Sequence, residues 1–335
     1  MDSSATISGL RPAKCSLNVF APSAAVTITI EAGSGTEPEI HLHAGGQGFW
    51  VARMAATLGA NVTLCVPLGG ETGQVLESLL AVHGIRLLSV RTEGANGAYI
   101  HDRRTGSREE VATMSSPTLS RHELDDLYGV TVSAGLDSDA TLVTGPRNEG
   151  VLPTHVFERL CRDLRANGRP VIADLSGDAL TAALRGGVEL IKVSDEDLVA
   201  DGRLRSRDTL PAVAAARRLR AEGATSVLLT RSADPALLLA DGELYKVDSP
   251  HFTPVDEHGA GDSLFAGVGV GIGAGLPIEV AVKLGAAAGA LNVARRGLGT
   301  GHMREVASLA EQVRVRPLAI DQAGGGGASA ASTAS

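Results

Sequence analysis

The stretch PVDEHGAGDSLFAG, at positions 254–267, decides which fold and which chemistry this chain can support. At its centre, Gly259, Ala260 and Gly261 are followed directly by Asp262. Glycines at the start of a helix let successive backbone N–H groups point toward one anion, and the helix dipole adds to the attraction. A carboxylate belongs in such a turn if Asp262 accepts a proton from an alcohol while the amides hold the phosphoryl group under attack. The turn therefore indicates phosphoryl transfer from a nucleotide to a hydroxyl group.

The small and apolar residues after this turn predict a helix over 261–274. The same tetrapeptide also fits an ordinary turn in which Asp262 is the N-cap of that helix. Glycines alternate along the helix from Gly267 to Gly275, and they favour close helix packing over a dinucleotide-binding loop because no strand precedes them directly. The rest of the chain decides between the two interpretations of the turn.

Composition excludes several classes of function. The 335 residues, 44% of them hydrophobic, suffice for one large α/β domain or two smaller ones. The net charge is −8 and the basic residues form no stripe, so we expect no nucleic-acid partner. No apolar run is long enough to span a bilayer, so we expect no membrane partner. Three widely separated cysteines predict neither a zinc site nor a disulfide framework, which favours a cytoplasmic location.

Apolar runs alternate with helical patterns along most of the chain, which predicts a mostly parallel sheet covered on both faces by helices. The predicted strands are 16–20, 62–67, 141–144, 171–174, 189–192 and 226–230. The predicted helices are 48–58, 72–83, 153–167, 209–222, 261–274 and 278–294. Glycines 59, 84, 168 and 223 mark helix ends, and the segments 237–240 and 244–247 predict a hairpin.

Two pairs of short alternating segments interrupt this order and predict a small β-sheet lid. The pairs are 26–31 with 39–43 and 86–91 with 98–102, so that the lid strands lie at about 24–44 and 86–103. A lid over the carboxyl ends of the main strands would exclude water, which competes with the acceptor in phosphoryl transfer. Residues 15–320 are then one domain, and the polar tails 1–14 and 321–335 are predicted to be disordered.

A second glycine-rich turn precedes a predicted helix at GGQGFWVAR, positions 45–53. Its glycines allow a ligand to approach the backbone closely, with Gln47 and Trp50 at the mouth of a pocket. The alternative is a strand-to-helix turn whose glycines supply positive φ, with Trp50 packed in the core.

This segment, together with HGAGDSLFAGVGVGI at 258–272, resembles the PfkB/ribokinase-like carbohydrate kinases, closest to the 1-phosphofructokinase and tagatose-6-phosphate kinase branch. The resemblance covers roughly residues 17–316. It implies a Rossmann-type α/β/α sandwich with a β lid, ATP and Mg²⁺ as cofactors, and phosphorylation of a hydroxyl on a sugar or sugar phosphate. It also implies that Asp262 is the general base and that the amides of Gly259, Ala260 and Gly261 form the anion hole.

Several sugar-binding positions depart from that family. The Asp of the family's Asn-Pro-x-x-Asp motif corresponds to Ala25, the Lys and Asn of its GGKGxN motif are Gln47 and Trp50, and its phosphate-binding Arg falls near Ala95. Each lost charge-assisted contact is worth about 1.5–3 kcal/mol, so we expect the acceptor to differ from the branch's usual substrate unless Arg147 compensates. The predicted acceptor-binding residues are Gly45, Gly46, Gln47, Trp50 and Arg147.

The nucleotide side is also altered. In the segment KVSDEDL, at 192–198, Ser194 replaces an Asn of the family motif, and Asp197 replaces the Glu that orients metal-bound water. Ser194 and the acids also fit a plain helix N-terminus with a serine cap. Arg231 is interpreted as either a phosphate ligand or a solvated loop arginine, and His258 as either a phosphate contact or a turn cap. The predicted nucleotide-binding residues are Lys192, Ser194, Thr230, Arg231 and His258, with Asp197 reaching Mg²⁺ through water.

Three hypotheses of function follow. The first is an ATP-dependent sugar kinase with Asp262 as base. The second is a ligand sensor or binding module that has lost catalysis on a kinase fold, suggested by the altered nucleotide and sugar motifs. The third is a nucleoside kinase in which Trp50 stacks on the base. A homodimer formed through the lid is a further expectation from the resemblance.

Overall fold

The computed structural model describes residues 15–81, 84–146, 150–232, 234–250, 252, 258–294 and 301–319. In this part of the chain a ten-stranded sheet forms the centre. Its strands, in spatial order, are β14 (Arg314–Pro317), β13 (Glu243–Asp248), β12 (Asp234–Ala240), β11 (Ala224–Arg231), β10 (Val188–Ser194), β9 (Val171–Asp174), β8 (Ala140–Thr144), β1 (Ser16–Phe20), β4 (Asn61–Gly69) and β5 (Arg86–Thr92). The strands from β11 to β5 are all parallel. Their carboxyl ends therefore lie at one edge, where open α/β sheets bind ligands.

Helices cover both faces of this sheet. They are α1 (Gln47–Thr57), α2 (Gly70–Leu80), α3 (Arg121–Leu136), α4 (His155–Ala166), α5 (Gly177–Gly186), α6 (Asp195–Ala200), α7 (Thr209–Glu222), α8 (Ala260–Gly273), α9 (Ile278–Val293) and α10 (Met303–Ala310). Two core clusters result, and strand β1 contributes to both, with Leu17 and Val19 on one face and Phe20 on the other. The predicted α/β/α sandwich is confirmed. None of the helices described is long and apolar enough to cross a membrane.

The lid is a second sheet of four strands, in the order β3 (Glu39–Gly45), β2 (Ala25–Glu31), β6 (Gly97–Asp102) and β7 (Glu109–Met114). The prediction that 86–91 belongs to the lid is wrong, because this segment is β5 and pairs in parallel with β4 of the main sheet. The fourth lid strand is β7, which the sequence analysis missed. All six residues of β7 are exposed, and its sequence EEVATM lacks the regular alternation of apolar and polar residues that indicates a half-buried strand.

The predictions of the hairpin and of the helix ends are confirmed, whereas several helices were missed. The hairpin is confirmed as β12 and β13, joined at Asp241 and Gly242, which both have positive φ. The helix-ending glycines 59, 84, 168 and 223 also have positive φ. Helices α3, α5 and α10 were not predicted, and α6 follows one of the two interpretations of the segment 192–198. The tails 1–14 and 321–335 lie outside the described residues, so their disorder stays a prediction.

Two glycines of α8, Gly267 and Gly271, pack against α9. A Cβ on Gly267 would lie 2.7 Å from Cα of Gly285, and one on Gly271 would lie 2.5 Å from Cα of Ala281. Only glycine fits at such distances, so the prediction that these glycines serve close helix packing is confirmed. The contact fixes the start of α8 above the carboxyl edge of the main sheet.

Candidate active site

Four polar side chains from four different elements meet at the carboxyl edge of the main sheet. Asp174 is the last residue of β9, and Lys192 lies near the end of β10. Gln47 is the first residue of α1, and Asp262 lies in the first turn of α8. We call these four residues the central cluster. Parallel strands end at the same edge of a sheet, which is why residues so distant in sequence come together.

The contacts within the central cluster are direct. Lys192 Nζ donates to both carboxylate oxygens of Asp174, at 2.9 and 3.1 Å, and the two residues are only 7% and 5% exposed. Gln47 Nε2 donates to Asp174 Oδ2 at 2.9 Å, while Gln47 Oε1 accepts from the amide of Gly145 at 3.1 Å. Asp174 is thus held from two sides, as a buried charge must be.

The glycine turn lies beside this ion pair. Gly259 has a left-handed φ of 73° and is the N-cap of α8, with no side chain capping the helix. The alternative in which Asp262 is the N-cap is therefore wrong. A Cβ on Gly261 would lie 3.1 Å from Lys192 Nζ, so the missing side chain lets the ammonium approach the helix start.

Asn292 of helix α9, which is 1% exposed, holds the turn 258–263 in place. Its Nδ2 donates to the carbonyl of His258 at 2.7 Å, and its Oδ1 accepts from the hydroxyl of Ser263 at 3.2 Å. Both ends of the turn 258–263 are thus attached to one side chain. The backbone amides at the start of α8 therefore have a fixed direction.

The electrostatics of the central cluster favour a proton acceptor near neutral pH. Burial raises the pKa of Asp262 to about 7, and the neighbouring Asp174 adds to the rise, while Lys192 and Gln47 oppose it. Burial also raises the pKa of Asp174, which Lys192 and Gln47 partly offset. Burial disfavours the charge on Lys192, but Asp174 and Asp262 outweigh it and raise its pKa, so Lys192 stays protonated. The site holds one ammonium between two carboxylates.

Sequence reasoning missed Asp174 as a site residue. The signal was present, because the predicted strand 171–174 reads VIAD and ends on its only charged residue. An acid at the carboxyl end of a buried parallel strand points to the edge where ligands bind.

The second glycine turn is explained by packing and backbone conformation. Gly46 has a φ of 107°, and a Cβ there would lie 2.9 Å from the carbonyl oxygen of Ser23. A Cβ on Gly45 would lie 2.4 Å from Thr27 Oγ1. Half-buried Trp50 packs against the core beside Phe49, with ring centroids 4.8 Å apart. These contacts fit the strand-to-helix interpretation, and Gln47 is the residue of this turn that joins the central cluster.

On the nucleotide side, Ser194 caps α6. Its Oγ accepts from the amide of Asp197 at 3.0 Å and donates to the carboxylate of the same residue. Thr230 lies on the neighbouring strand, where its hydroxyl donates to the carbonyl of Val193 at 3.2 Å. Ser194 therefore has the capping role that was one of its two interpretations, and the metal role of Asp197 stays a prediction.

The interpretation of Arg231 as a solvated loop arginine is wrong, because Arg231 is 8% exposed at the end of β11. Its guanidinium donates to the carbonyl of Arg207 at 2.7 Å and lies 3.4 Å from a carboxylate oxygen of Asp234. These partners give Arg231 a structural role in joining the loop before α7 to the hairpin. Its contact with a phosphate stays a prediction.

Ser232, at the turn that follows β11, has a left-handed conformation, with a φ of 41°. Such a conformation costs a non-glycine residue of order 1–3 kcal/mol. We expect Ser232→Gly to raise the free energy of unfolding by about 0.5–1 kcal/mol, because glycine relieves the backbone strain. Glycine also loses more backbone entropy on folding than serine does, and this loss offsets part of the gain. Thermal melts of Ser232→Gly and Ser232→Ala check this, because alanine removes the hydroxyl but keeps the Cβ. A melting temperature for Ser232→Gly at or below that of Ser232→Ala contradicts it.

The other two predicted binding residues are His258 and Arg147. His258 is exposed in the turn before α8, and the structure holds its carbonyl oxygen through Asn292. Arg147 lies outside the described residues, in the segment 147–149.

Comparison with known proteins identifies the family. Residues 21–304 match the model for the pfkB family carbohydrate kinases. A 1-phosphofructokinase of Vibrio cholerae is 26% identical over 279 residues, which are 83% of this chain and 87% of that protein. The chain therefore belongs to the pfkB family of carbohydrate kinases. Within that family it is an ATP-dependent sugar kinase, and the sensor and nucleoside kinase alternatives are not favoured.

Solved structures support the same fold. Phosphofructokinase-2 from Escherichia coli in complex with fructose-6-phosphate superposes with a TM-score of 0.73 at 22% identity, covering 90% of this chain and 99% of that one. Ribokinase of Arabidopsis thaliana, complexed with ribose and ATP, gives a TM-score of 0.70 at 18% identity, covering 89% of this chain and 99% of that one. The predicted ribokinase-like architecture with its lid is confirmed.

Proposed function

We propose that Asp262 is the general base of this kinase and that the amides of Gly259, Ala260 and Gly261 form the anion hole for the transferring phosphoryl group. The observation that carries the proposal is the position of Asp262, in the first turn of α8, beside the Lys192–Asp174 pair and with a pKa of about 7. A base with a pKa near the working pH is the most effective proton acceptor.

In the proposed reaction, the acceptor hydroxyl attacks the γ-phosphorus of ATP, and its proton passes to the carboxylate of Asp262. A new P–O bond forms to the acceptor while the bond from the γ-phosphorus to the β-phosphate oxygen breaks, which leaves ADP and the phosphorylated sugar. The amides at the start of α8 offset the negative charge of the group in transit. The Lys192 ammonium, 3.1 Å from the space where a Cβ of Gly261 would be, adds a positive charge at the same point.

Mg²⁺ is the cofactor that we propose beside ATP. Among the described residues no group of three or more His, Cys, Asp or Glu side chains forms a metal cage. This fits Mg²⁺, which proteins commonly bind through one or two carboxylates together with phosphate oxygens and water. The half-buried carboxylate of Asp197, at the start of α6, is the residue we assign to that water shell, where the ion would neutralise phosphate charge.

The pH dependence of the rate tests the role of Asp262. Below its pKa of about 7 the carboxylate holds a proton and cannot accept another, so kcat/KM is expected to rise with pH and level off above 7. At pH 5 the rate should be about 100-fold below the plateau, since two pH units separate it from the pKa. Initial rates of ADP release between pH 5 and pH 9 measure this. A flat profile over that range contradicts the assignment.

The sugar kinase activity itself is tested by ADP release in the presence of Mg-ATP and a panel of sugars and sugar phosphates. We expect at least one acceptor to stimulate ADP release well above the rate without acceptor. Mass spectrometry of that acceptor should show the added phosphoryl group. Failure of every acceptor with freshly folded protein overturns the proposed function.

We also propose a homodimer formed through the lid. One face of the lid carries apolar side chains in register, and Ile40 and Leu42 on β3 are 62% and 48% exposed, with Met114 on β7 44% exposed. An exposed apolar patch of this kind typically marks a protein interface. Sedimentation equilibrium should give twice the mass of the chain, and Leu42→Lys should shift it toward the monomer. A monomer at all concentrations contradicts this proposal.

We propose a reducing, cytoplasmic location. The described cysteines are Cys15, Cys65 and Cys161, and all three are free and buried. This supports a compartment in which disulfides do not form.

A further inference from the structure

A cleft of about 490 Å³ lies between α7 and the loop 201–208, which joins α6 to α7. We call it the α7 cleft. None of the four residues of the central cluster lines it. Its volume falls within the range of about 300–1,000 Å³ that small-molecule sites occupy, so it has room for an organic body as well as an ion.

One face of α7 forms a wall of the cleft. The lining residues on this helix recur three or four positions apart, as residues on one helical face do. They are Pro211, Ala214, Ala215, Arg218, Leu219 and Glu222. The two alanines have no side-chain atoms beyond Cβ, so they leave the space that a longer side chain on this face would fill.

The buried part of the cleft surface is apolar. Leu198 of α6, Leu204 of the loop and Leu219 of α7 line it, and each is at most 3% exposed. The amides of Arg203 and Leu204 donate to the carbonyl of Leu198 at 2.8 and 2.9 Å, which attaches the loop to α6. None of the described lining residues has a hydroxyl, amide or imidazole side chain. The cleft therefore offers contact area to an apolar group and few partners to a hydroxyl group.

Three arginines and one glutamate are the charged residues among the described lining residues. Arg203 is already paired, because its guanidinium donates to Glu222 at 2.8 Å and to the hydroxyl of Thr181 at 2.7 Å. Arg218 donates through one nitrogen only, to the carbonyl of Arg203 at 2.8 Å. Exposed Arg205 has no ion pair and no side-chain hydrogen bond to any residue that the structure describes. Two guanidinium groups at the cleft thus have N–H groups available for a ligand.

Two available guanidinium groups favour a dianion. A phosphate monoester carries a charge of about −1.5 to −2 near neutral pH, and arginine binds its oxygens in bidentate geometry. The chain as a whole has a net charge of −8, so this local excess of positive charge is not a general property of its surface.

We propose that the α7 cleft binds a small organic phosphate, with the phosphate on Arg205 and Arg218 and an apolar or aromatic body on the three leucines. This site is separate from the candidate active site, and the proposal does not depend on the proposed function. A sugar phosphate is a poorer ligand for it, because burying sugar hydroxyls without hydrogen-bond partners is unfavourable.

Four probes separate the two parts of this ligand in calorimetric titrations of the full chain. Phenyl phosphate has both the dianion and an apolar body, whereas ribose 5-phosphate has the dianion and a hydroxylated body. Inorganic phosphate has the anion alone, and phenol has the apolar body alone. We expect phenyl phosphate to bind about tenfold or more tightly than each of the other three, since each of them lacks one of the two kinds of contact.

Variants distinguish the α7 cleft from other places that could bind phosphate, the candidate active site included. Arg205→Gln and Arg218→Gln each remove one guanidinium, and each should weaken binding of phenyl phosphate about tenfold. Arg217→Gln is the matched control, because Arg217 is the exposed neighbour of Arg218 on α7 and does not line the cleft. It should change the affinity by less than about twofold.

Ala214→Leu tests the space without changing any charge. Ala214 is exposed and leucine is a good helix former, so the variant should fold. Its longer side chain should occupy the cleft and weaken binding of phenyl phosphate about tenfold. Melting temperatures within about 2 °C of the parent show that this variant and the arginine variants are folded.

The possible outcomes each decide the proposal. Equal affinities for inorganic phosphate and phenyl phosphate mean an adventitious ion only and overturn it, and tighter binding of ribose 5-phosphate overturns the apolar body. Phenyl phosphate affinity that is the same in Arg205→Gln, Arg218→Gln and Arg217→Gln places the ligand elsewhere and also overturns the proposal. Selective loss of binding in the first two variants supports it, whether or not the chain turns over ATP.

Discussion

Replacing Asp262 with Asn is expected to lower kcat by about 10²–10⁴-fold, the contribution typical of a general base. The amide of Asn keeps nearly the same shape but cannot take a proton from the acceptor hydroxyl. Since Asp262 lies in the first turn of α8 and does not cap it, the helix should form normally. The measurement is the rate of ADP release with the best acceptor, together with calorimetric titration of Mg-ATP, whose affinity should not weaken.

The matched control is Asp178→Asn. Asp178 also lies in the first turn of a helix, α5, but it is exposed. Its replacement should leave kcat within about twofold of the parent, since a surface substitution of this kind has little effect. Full activity of Asp262→Asn would refute the role of this carboxylate. The residual rate of Asp262→Asn should also lose its rise between pH 5 and 7, because the group that titrates there is gone.

Lys192→Met is expected to lower both the thermal stability and the kinase activity by a large amount. This substitution leaves the Asp174 carboxylate 5% exposed with no counter-charge, and breaking a buried pair in this way costs about 3–5 kcal/mol. We expect the melting temperature to fall by roughly 5–10 °C, which thermal unfolding measures. Activity should fall as well, because the ammonium beside the proposed anion hole is lost.

The double variant Lys192→Met/Asp174→Asn separates the two effects. Removing both charges should recover most of the stability lost with the pair, since position 174 no longer carries a buried charge without a partner, but it should not recover activity. Lys246→Met is the control. Lys246 is 42% exposed and lies 3.4 Å from Asp248, so its loss should cost less than about 1 kcal/mol. A melting temperature for Lys192→Met equal to that of Lys246→Met would show that the buried pair contributes nothing measurable to stability.

The sequence predicted the main sheet and the glycine turn well, for clear physical reasons. Buried parallel strands such as β1 and β9 are short apolar runs, and their predicted bounds are those of the structure. Helix α7 was also predicted over its exact length, because a glycine ends it. Local signals of this kind depend on a few neighbouring residues and need no knowledge of the rest of the chain.

The missed features depend on contacts between distant residues. Asp174 and Gln47 are 127 positions apart, and only the arrangement of the strands brings them together. Burial of Arg231 depends on the carbonyl of Arg207, which belongs to another loop. Strand β5 has the same local pattern as a lid strand, and pairing with β4 alone distinguishes it. Local periodicity carries no information on such partners.

The packing of α8 on α9 determines which part of the enzyme is free to move during turnover. Gly267 and Gly271 hold the two helices in backbone contact, and Asn292 ties the turn 258–263 to the same pair. The floor of the site is therefore held by close packing, and we expect any closure that excludes water to come from movement of the four-stranded sheet. Asn96 Nδ2 donates to the carbonyl of Ala24 at 3.3 Å, directly before the lid strands β6 and β2 begin, so we expect these two strands to move together.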